Sequence, residues 1–348
     1  MTERRKTRTV SVGNVLVGGD QPVRVQSMTN TDTRDVAATV SQIRRLEELG
    51  CEIIRVAVPD SDAAKAIKQI VSQINLPLIA DIHFKHTLAT EALENGAAAV
   101  RINPGNIGGK GKTLEVIAYA RELNRSIRVG INAGSLEKDL LAEYGVSAEA
   151  LVKSALRQTS ILEEAGFAQF KVSIKASNVP MTVAAYKMFS EISDAPLHIG
   201  ITEAGTVRSG AIKSAVGIGA LLLSGIGDTI RVSLTAPPEE EASAAWEILR
   251  AAGVRRRGVE VISCPTCGRT EIDLIKLAGE VEKACAVINK DITVAVMGCP
   301  VNGPGEAREA DYGIAGGRGC GILFRKGETV KKVRAPDLLQ ELIKLIME

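Results

Sequence analysis

The chain has 348 residues, of which 45% are hydrophobic, 24% charged and 3% aromatic, a mixture that excludes disordered, collagenous and coiled-coil chains. Lys+Arg 43 against Asp+Glu 41 leaves a net charge of +2, which, with so few aromatic rings to stack on bases, argues against a nucleic-acid partner. The longest apolar stretch, Ala215 to Leu223, is about half a membrane span. The basic stretch Met1 to Val12 lacks the apolar run and cleavage site of a secretory signal, so a cytoplasmic protein without a membrane segment is expected.

Arg8 to Met28 alternates apolar and polar residues around Gly13-Asn14 and Gly18-Gly19-Asp20, which predicts a β-hairpin leading into a strand. From there to about residue 250 one unit repeats, a short β-branched run followed by a helical pattern. The runs are Val23–Met28, Glu52–Val58, Pro77–His83, Ala98–Asn103, Ile127–Asn132, Gln169–Lys175, Pro196–Thr202 and Thr229–Leu234. Amphipathic stretches such as Val36–Leu49, Ala63–Ile74, Leu114–Leu123, Ala148–Glu164 and Glu239–Ala252 separate them. Eight strands alternating with helices match a (β/α)8 TIM-type barrel in number and length. An open doubly wound sheet, the alternative, needs no eight-fold count.

Gly253–Gly258 (Gly-Val-Arg-Arg-Arg-Gly) is a plausible linker. This divides the chain into a barrel at residues 1–252, a linker at 253–258 and a small α+β domain at 259–348. The small domain contains a strand (Val259–Ser263), a Cys-Pro-Thr-Cys turn, a helix (Ile272–Asn289) and a second strand (Thr293–Met297). A Gly-rich run and a terminal helix (Pro336–Met347) complete it.

Four of the barrel runs carry an arginine inside apolar β sequence: Arg55, Arg101, Arg128 and Arg231. Parallel strands buried on both faces should be unbroken Val, Ile and Leu. Burial does not neutralise a guanidinium, so each needs a carboxylate or a bound anion. Salt bridges with Asp81, Glu203 and similar residues are one solution, although the arginines outnumber the acids at matching positions. The C-terminal strand ends, the catalytic face of such a barrel, carry Arg55, Asp81, His83, Arg101, Asn103, Asn132, Lys175, Thr202, Glu203, Arg231 and Ser233. This net-cationic mouth suits bidentate binding of phosphate oxygens, and a substrate with two phosphates is expected. His83 beside Asp81 suits function and packing equally, whereas His86, at a helix start, and His198, early in a strand, read as structural.

Five of the six cysteines lie after residue 263. Without a secretion signal they point to a metal site rather than a disulfide framework. Cys264-Pro-Thr-Cys267-Gly offers two thiolates on one turn, and Cys299 a third, 32 residues later, in another. This set fits an iron–sulfur cluster or a zinc site. The fourth ligand stays open between Cys285, which reads as helix core, Cys320 in Gly-Arg-Gly-Cys-Gly, and Glu306, seven residues past Cys299. Three thiolates and an oxygen ligand would leave an exchangeable position, as catalytic sites do. Cys51 reads as a small core residue.

Ile53–Pro59, Asp81–Phe84, Val100–Gly105, Gly200–Gly205, Cys264–Gly268 and Gly298–Glu306 resemble, in sequence and in order, the 4-hydroxy-3-methylbut-2-enyl diphosphate synthase family of the methylerythritol phosphate route to isoprenoids, in its two-domain bacterial form. The resemblance covers essentially the whole chain. It implies a barrel that binds 2-C-methyl-D-erythritol 2,4-cyclodiphosphate and a C-terminal domain carrying a [4Fe–4S] cluster. The implied reaction is reductive ring opening and dehydroxylation to 4-hydroxy-3-methylbut-2-enyl diphosphate and water. Either flavodoxin or ferredoxin suits as the electron donor. The implied cluster ligands are Cys264, Cys267, Cys299 and Glu306. The diphosphate contacts match Arg55, Arg101, Arg128, Lys175, Arg231 and Ser233, and the groups around the carbon skeleton match Asn132, Asp81, His83, Thr202 and Glu203. Glu203 is then positioned to deliver the proton that makes water the leaving group.

The resemblance also implies a head-to-tail homodimer. Geometry agrees: the last barrel helix should end at the N-terminal face, roughly 30 Å from the mouth, while a six-residue linker spans at most ~20 Å. Two other functions stay open on the residues alone. One is a phosphate-binding transferase with structural zinc, which an iron- and sulfide-containing protein would eliminate. The other is an electron carrier with the barrel as scaffold, in which the mouth cations should be replaceable.

Overall fold

A computed structural model describes residues 3–299 and 308–348. The chain forms two compact units, divided between Arg255 and Arg256.

The first unit opens with a hairpin, β1 (Val10–Val12) and β2 (Val15–Val17), paired antiparallel with Val10 opposite Val17. Gly13 turns between them at φ +58°, a conformation that favours glycine. Eight parallel strands follow: β3 (Arg24–Met28), β4 (Ile53–Ala57), β5 (Leu78–Asp81), β6 (Ala99–Ile102), β7 (Ser126–Asn132), β8 (Phe170–Lys175), β9 (His198–Ile199) and β10 (Thr229–Ile230). Their order is β8-β7-β6-β5-β4-β3-β10-β9. A parallel bridge from Val172 to Leu197, with the Val172 N–H donating to Pro196 O at 2.9 Å, brings β8 to β9 and nearly closes the barrel. All eight expected strands are present, so the barrel holds and the open sheet does not. β9 and β10 are shorter than their β-branched runs. Beyond them the backbones crowd, and a Cβ built on Gly200 would lie 2.4 Å from Arg231 O.

Helices α1 (Val36–Glu48), α2 (Ser61–Val71), α3 (His86–Glu94), α4 (Lys110–Glu122), α5 (Lys138–Tyr144), α6 (Ala148–Glu164), α7 (Val179–Ile192), α8 (Val207–Leu223) and α9 (Pro238–Ala251) connect the strands. Side chains of Asp35, Asp60, Ser147 and Asn178 accept from backbone N–H groups three residues on and start α1, α2, α6 and α7. Outward strand residues such as Ile54, Val56, Val100 and Val172 pack with Leu46, Ile67 and Leu151 from the helices in one large core. Each fully buried aliphatic side chain there contributes ~1.5–3 kcal/mol. Val12 and Val17 of the hairpin pack with Ile53, Ile79, Ala98 and Ala99, closing the N-terminal end of the barrel with apolar side chains.

Among the described residues the second unit holds a five-stranded mixed sheet in the order β11 (Val259–Ser263), β12 (Ile292–Met297), β13 (Tyr312–Gly317), β14 (Cys320–Arg325), β15 (Glu328–Arg334). The first three strands are parallel and the last two antiparallel. α10 (Leu274–Cys285) and α11 (Leu338–Met347) pack on one face through Val281, Cys285, Leu342 and Ile346, against Val294, Val296, Ile314 and Leu323. Three strands therefore occupy the stretch whose sequence reads as a Gly-rich run. Glycine weakens the β signal, yet packing demands it: a Cβ would lie 2.1 Å from the Phe324 ring at Gly313, 2.4 Å from Ile272 at Gly316 and 2.9 Å from Leu338 at Gly321. Among the described residues no helix is long and apolar enough to cross a membrane.

Candidate active site

A cavity of about 150 Å³ opens at the C-terminal ends of the barrel strands. Residues two apart on a strand face the same way, so β8 points Lys171, Ser173 and Lys175 inward, and β7 points Arg128, Gly130 and Asn132. The cavity lining contains Arg55, Arg101, Arg128, Asn132, Lys175, Thr202, Arg231 and Ser233, together with Asp81 and His83. Ser173 and Ile201 complete it. Asn103 is turned aside: its amide donates to Ser135 Oγ at 3.1 Å and accepts from the Gly105 N–H, bracing the loop after β6.

Two carboxylates organise the cations. Asp81 lies 3.2 Å from Arg101 Nη1, 3.6 Å from Arg55 Nε and 3.7 Å from His83 Nε2. Burial alone would raise the Asp81 carboxyl. Arg55, with His83, Arg101 and Arg128, overrides that and holds it well below the usual carboxylate range. Glu241, on α9, takes Arg231 through both oxygens at 3.1 Å and also accepts from the Leu234 N–H at 3.0 Å. Arg55 additionally donates to the thioether of Met28, at 3.1 Å from Nε and 3.0 Å from Nη2. With its amide oxygen turned to the guanidinium, Asn132 accepts from Arg101 Nη2 at 3.1 Å.

The remaining cations exceed these acids. Arg128 is 2% exposed and its Nε and Nη1 have no hydrogen-bond partner among the described residues. Burial, then the Arg55 and Arg101 guanidiniums, disfavours its charge. A guanidinium does not surrender its proton in a protein, so the site asks for an anion. Lys175 is disfavoured likewise by burial and by Arg128, Arg231, Arg55 and Arg101. Burial, offset first by Asp81, pushes Arg55 down to about 10, which leaves it charged at neutral pH.

Two glycines make room for these side chains. A Cβ on Gly130 would sit 2.4 Å from Arg101 Nε, and one on Gly200 would sit 2.8 Å from Lys175 Nζ. Neither they nor Glu241 stood out as site residues. A glycine inside the buried β-branched run of β7 is the sequence signal for such a close approach, and Gly200 opens the Gly200–Gly205 motif. Glu203 is exposed and follows Thr202 at φ +51°, a left-handed backbone that a non-glycine residue adopts at strained, often functional positions.

In the second unit, β11 and β12 run parallel in register, with Ser263 opposite Val296. The turn that begins at Cys264 and the turn holding Cys299 therefore leave the same end of the sheet. Cys264 Sγ accepts from the Gly298 N–H at 3.2 Å, and the Glu271 N–H donates to Gly298 O at 2.9 Å. Cys267 is exposed, and hydrogen bonds from Arg269, backbone first and then side chain, lower its thiol. Cys320 opens β14, opposite Gly317, at that same end. Cys285 and Cys51 are buried. Among the described residues no three His, Cys, Asp or Glu side chains form a metal-sized group. Glu306 lies outside the described residues.

Residues 7–246 match the GcpE TIM-barrel domain and residues 260–348 match the GcpE protein C-terminal domain. The chain belongs to the GcpE family. Its GcpE relatives include the 4-hydroxy-3-methylbut-2-en-1-yl diphosphate synthase (flavodoxin) of Clostridium perfringens, 58% identical over 344 residues, 99% of this chain and 99% of that protein. The protein of the same name from Geobacter sulfurreducens is 59% identical over 341 residues, 98% of this chain and 97% of its own. The GcpE barrel also resembles a solved structure, the N-acetylneuraminic acid synthetase of Leptospira borgpetersenii, with a TM-score of 0.52 at 12% identity over 72% of this chain and 90% of that one. That likeness is one of fold alone.

Proposed function

We propose that the chain is a flavodoxin-dependent 4-hydroxy-3-methylbut-2-en-1-yl diphosphate synthase that opens 2-C-methyl-D-erythritol 2,4-cyclodiphosphate reductively. One observation carries this reading beside the family membership: a barrel cavity built of buried cations whose arginine nitrogens are incompletely paired. Arg55, Arg101, Arg128, Lys175 and Arg231, with Ser233, bind the two phosphates, each arginine through planar N–H pairs. Asp81 and Glu241 hold those cations together against their mutual repulsion and set their directions. Thr202, Asn132 and His83 orient the carbon skeleton by hydrogen bonds. Glu203 delivers the proton, so that two electrons and one proton release the hydroxyl as water.

GcpE-family synthases are iron–sulfur enzymes, and the donor set of the second unit fits such a group. Soft thiols stand on two neighbouring turns, one lowered towards thiolate and one already accepting a backbone N–H, the kind of hydrogen bond that tunes cluster sulfur. Cys264, Cys267, Cys299 and Glu306 would hold a [4Fe–4S] cluster, which when bound supplies electrons one at a time. The six-residue linker spans at most ~20 Å, which favours a head-to-tail homodimer whose active sites are shared between chains.

Anaerobic turnover of the cyclic diphosphate by iron- and sulfide-reconstituted protein with an artificial reductant is the primary test. No product, or zinc in place of iron, overturns the function. Mixing an Arg55→Ala chain with a Cys299→Ser chain should restore activity that neither has alone. Heterodimers without activity would remove the shared site. A Glu203→Gln protein with full turnover would remove the proton-donor role.

A further inference from the structure

Beneath the cavity the barrel interior is polar where apolar layers are usual. Lys171 is 1% exposed, His198 and Thr229 are fully buried, and Gln26 is 1% exposed. Lys171 Nζ, His198 Nε2 and both amide atoms of Gln26 have no hydrogen-bond partner among the described residues. Strand register places these groups. Arg128 is paired across the ladder with Lys171, Gly130 with Ser173 and Asn132 with Lys175. Ser173 and Lys175 line the cavity, and Lys171 faces the same way two residues, about 6.6 Å, further down the strand. Thr229 is paired with His198, whose Nδ1 lies 2.8 Å from Thr229 Oγ1.

We propose that Lys171 is a positioning residue in a second tier of the anion site, and that a phosphorylated ligand in the cavity draws a proton onto its amine. The inference rests on the proposed function only in that a phosphorylated ligand occupies this cavity. The step is a protonation alone: the Nζ lone pair takes a proton from solvent, the solvent buffer makes up the loss, and no other bond changes.

The groups around Lys171 explain why the amine is poised. Arg128 on β7, its ladder neighbour, and Arg55 on β4 oppose its charge. Asp228, in the turn before β10, favours it, but Asp228 already accepts from Arg4 Nη2 at 2.8 Å and the Leu197 N–H at 2.7 Å. Lys175 on the same strand and His198 on β9 complete the surroundings. His198 is kept neutral by burial and by Lys175, Arg128, Lys171 and Arg55. Burial first, then Arg128 and Arg55, pushes Lys171 down to about 7. A dianion seated on Arg128 and Arg55 offsets these two repulsions, so the folded-state value rises and the ligand binds more tightly at lower pH. The ammonium then adds a second tier of positive charge below Arg128, facing the negative charge of the ligand.

Inorganic sulfate is the probe, because it carries two charges and no proton that titrates near neutral pH. Calorimetric titration of the full chain in buffers of different ionisation enthalpy reads the protons taken up. At pH 7.5 the native protein should take up about 0.5 proton per site or more beyond Lys171→Met, which still binds sulfate, and the difference should nearly vanish at pH 6. In the native protein labelled at the lysine Cε carbons, the resonance that titrates near pH 7 should move up by at least about one unit with saturating sulfate, a readout that does not depend on how the variant folds. Sulfate binding with no proton uptake, or uptake that survives in Lys171→Met, overturns this inference and leaves the synthase reading standing. A native protein that binds no sulfate overturns the inference together with the anion site.

Discussion

The barrel and the C-terminal unit place chemistry-bearing side chains in different ways. In the barrel each cation sits on or just beyond a strand held by neighbours on both sides, and its direction follows from the two-residue period of the ladder. Arg101 and Lys175 even have glycines, Gly130 and Gly200, clearing space beside them. In the C-terminal unit the thiols hang on turns beyond the strand ends, where no ladder sets their direction, and a hydrogen bond such as Gly298 N–H to Cys264 Sγ does the aligning. A rigid scaffold fixes an anion site before the anion arrives. A thiol set on turns keeps the freedom to close around its group.

Substitutions can break or sharpen this contrast. The largest effect is expected at the turns. Cys299→Ser should lower turnover more than about a hundredfold together with iron content, whereas Cys285→Ser in α10 should keep iron and turnover and lose ~1–3 kcal/mol of stability; metal analysis and denaturant unfolding distinguish them. Next comes the barrel itself. Arg128→Gln, losing charged hydrogen bonds of ~1.5–3 kcal/mol, should weaken ligand binding roughly 10- to 150-fold, measured by calorimetry. Gly130→Ala, whose Cβ meets Arg101 Nε at 2.4 Å, should raise KM about tenfold, near the ~1.4 kcal/mol of one displaced contact. Gly219→Ala on α8, where a Cβ meets nothing within 4 Å, should leave KM unchanged.

The smallest effect is electrostatic. Lys171 has a folded-state value of about 7 against ~10.4 when unfolded. Between pH 7 and about 8.5 the unfolded chain therefore binds more protons there, so ligand-free stability should rise with pH across this window. Thermal melts should show the rise in the native protein and a flatter profile in Lys171→Met.

The eight barrel strands were legible because each β-branched run is bounded by turn residues and followed by an amphipathic helix, signals that need no tertiary knowledge. The arginines were legible because a charge inside such a run contradicts burial. Glu241 was not, since it belongs to Glu239-Glu240-Glu241 at the start of α9, and only the packing shows that this one of the three is 4% exposed and grips Arg231. Asn103 misled because position at a strand end does not say whether an amide faces the mouth or its own loop. β13 to β15 were obscured by glycines that the facing side chains of Phe324, Ile272 and Leu338 require.

The apolar hairpin that shuts the lower end of the barrel makes the cavity a cul-de-sac. Reactant and product must use one doorway in turn, so the departing diphosphate is expected to compete with the incoming one, and any compound lodged at the rim would halt entry and exit together.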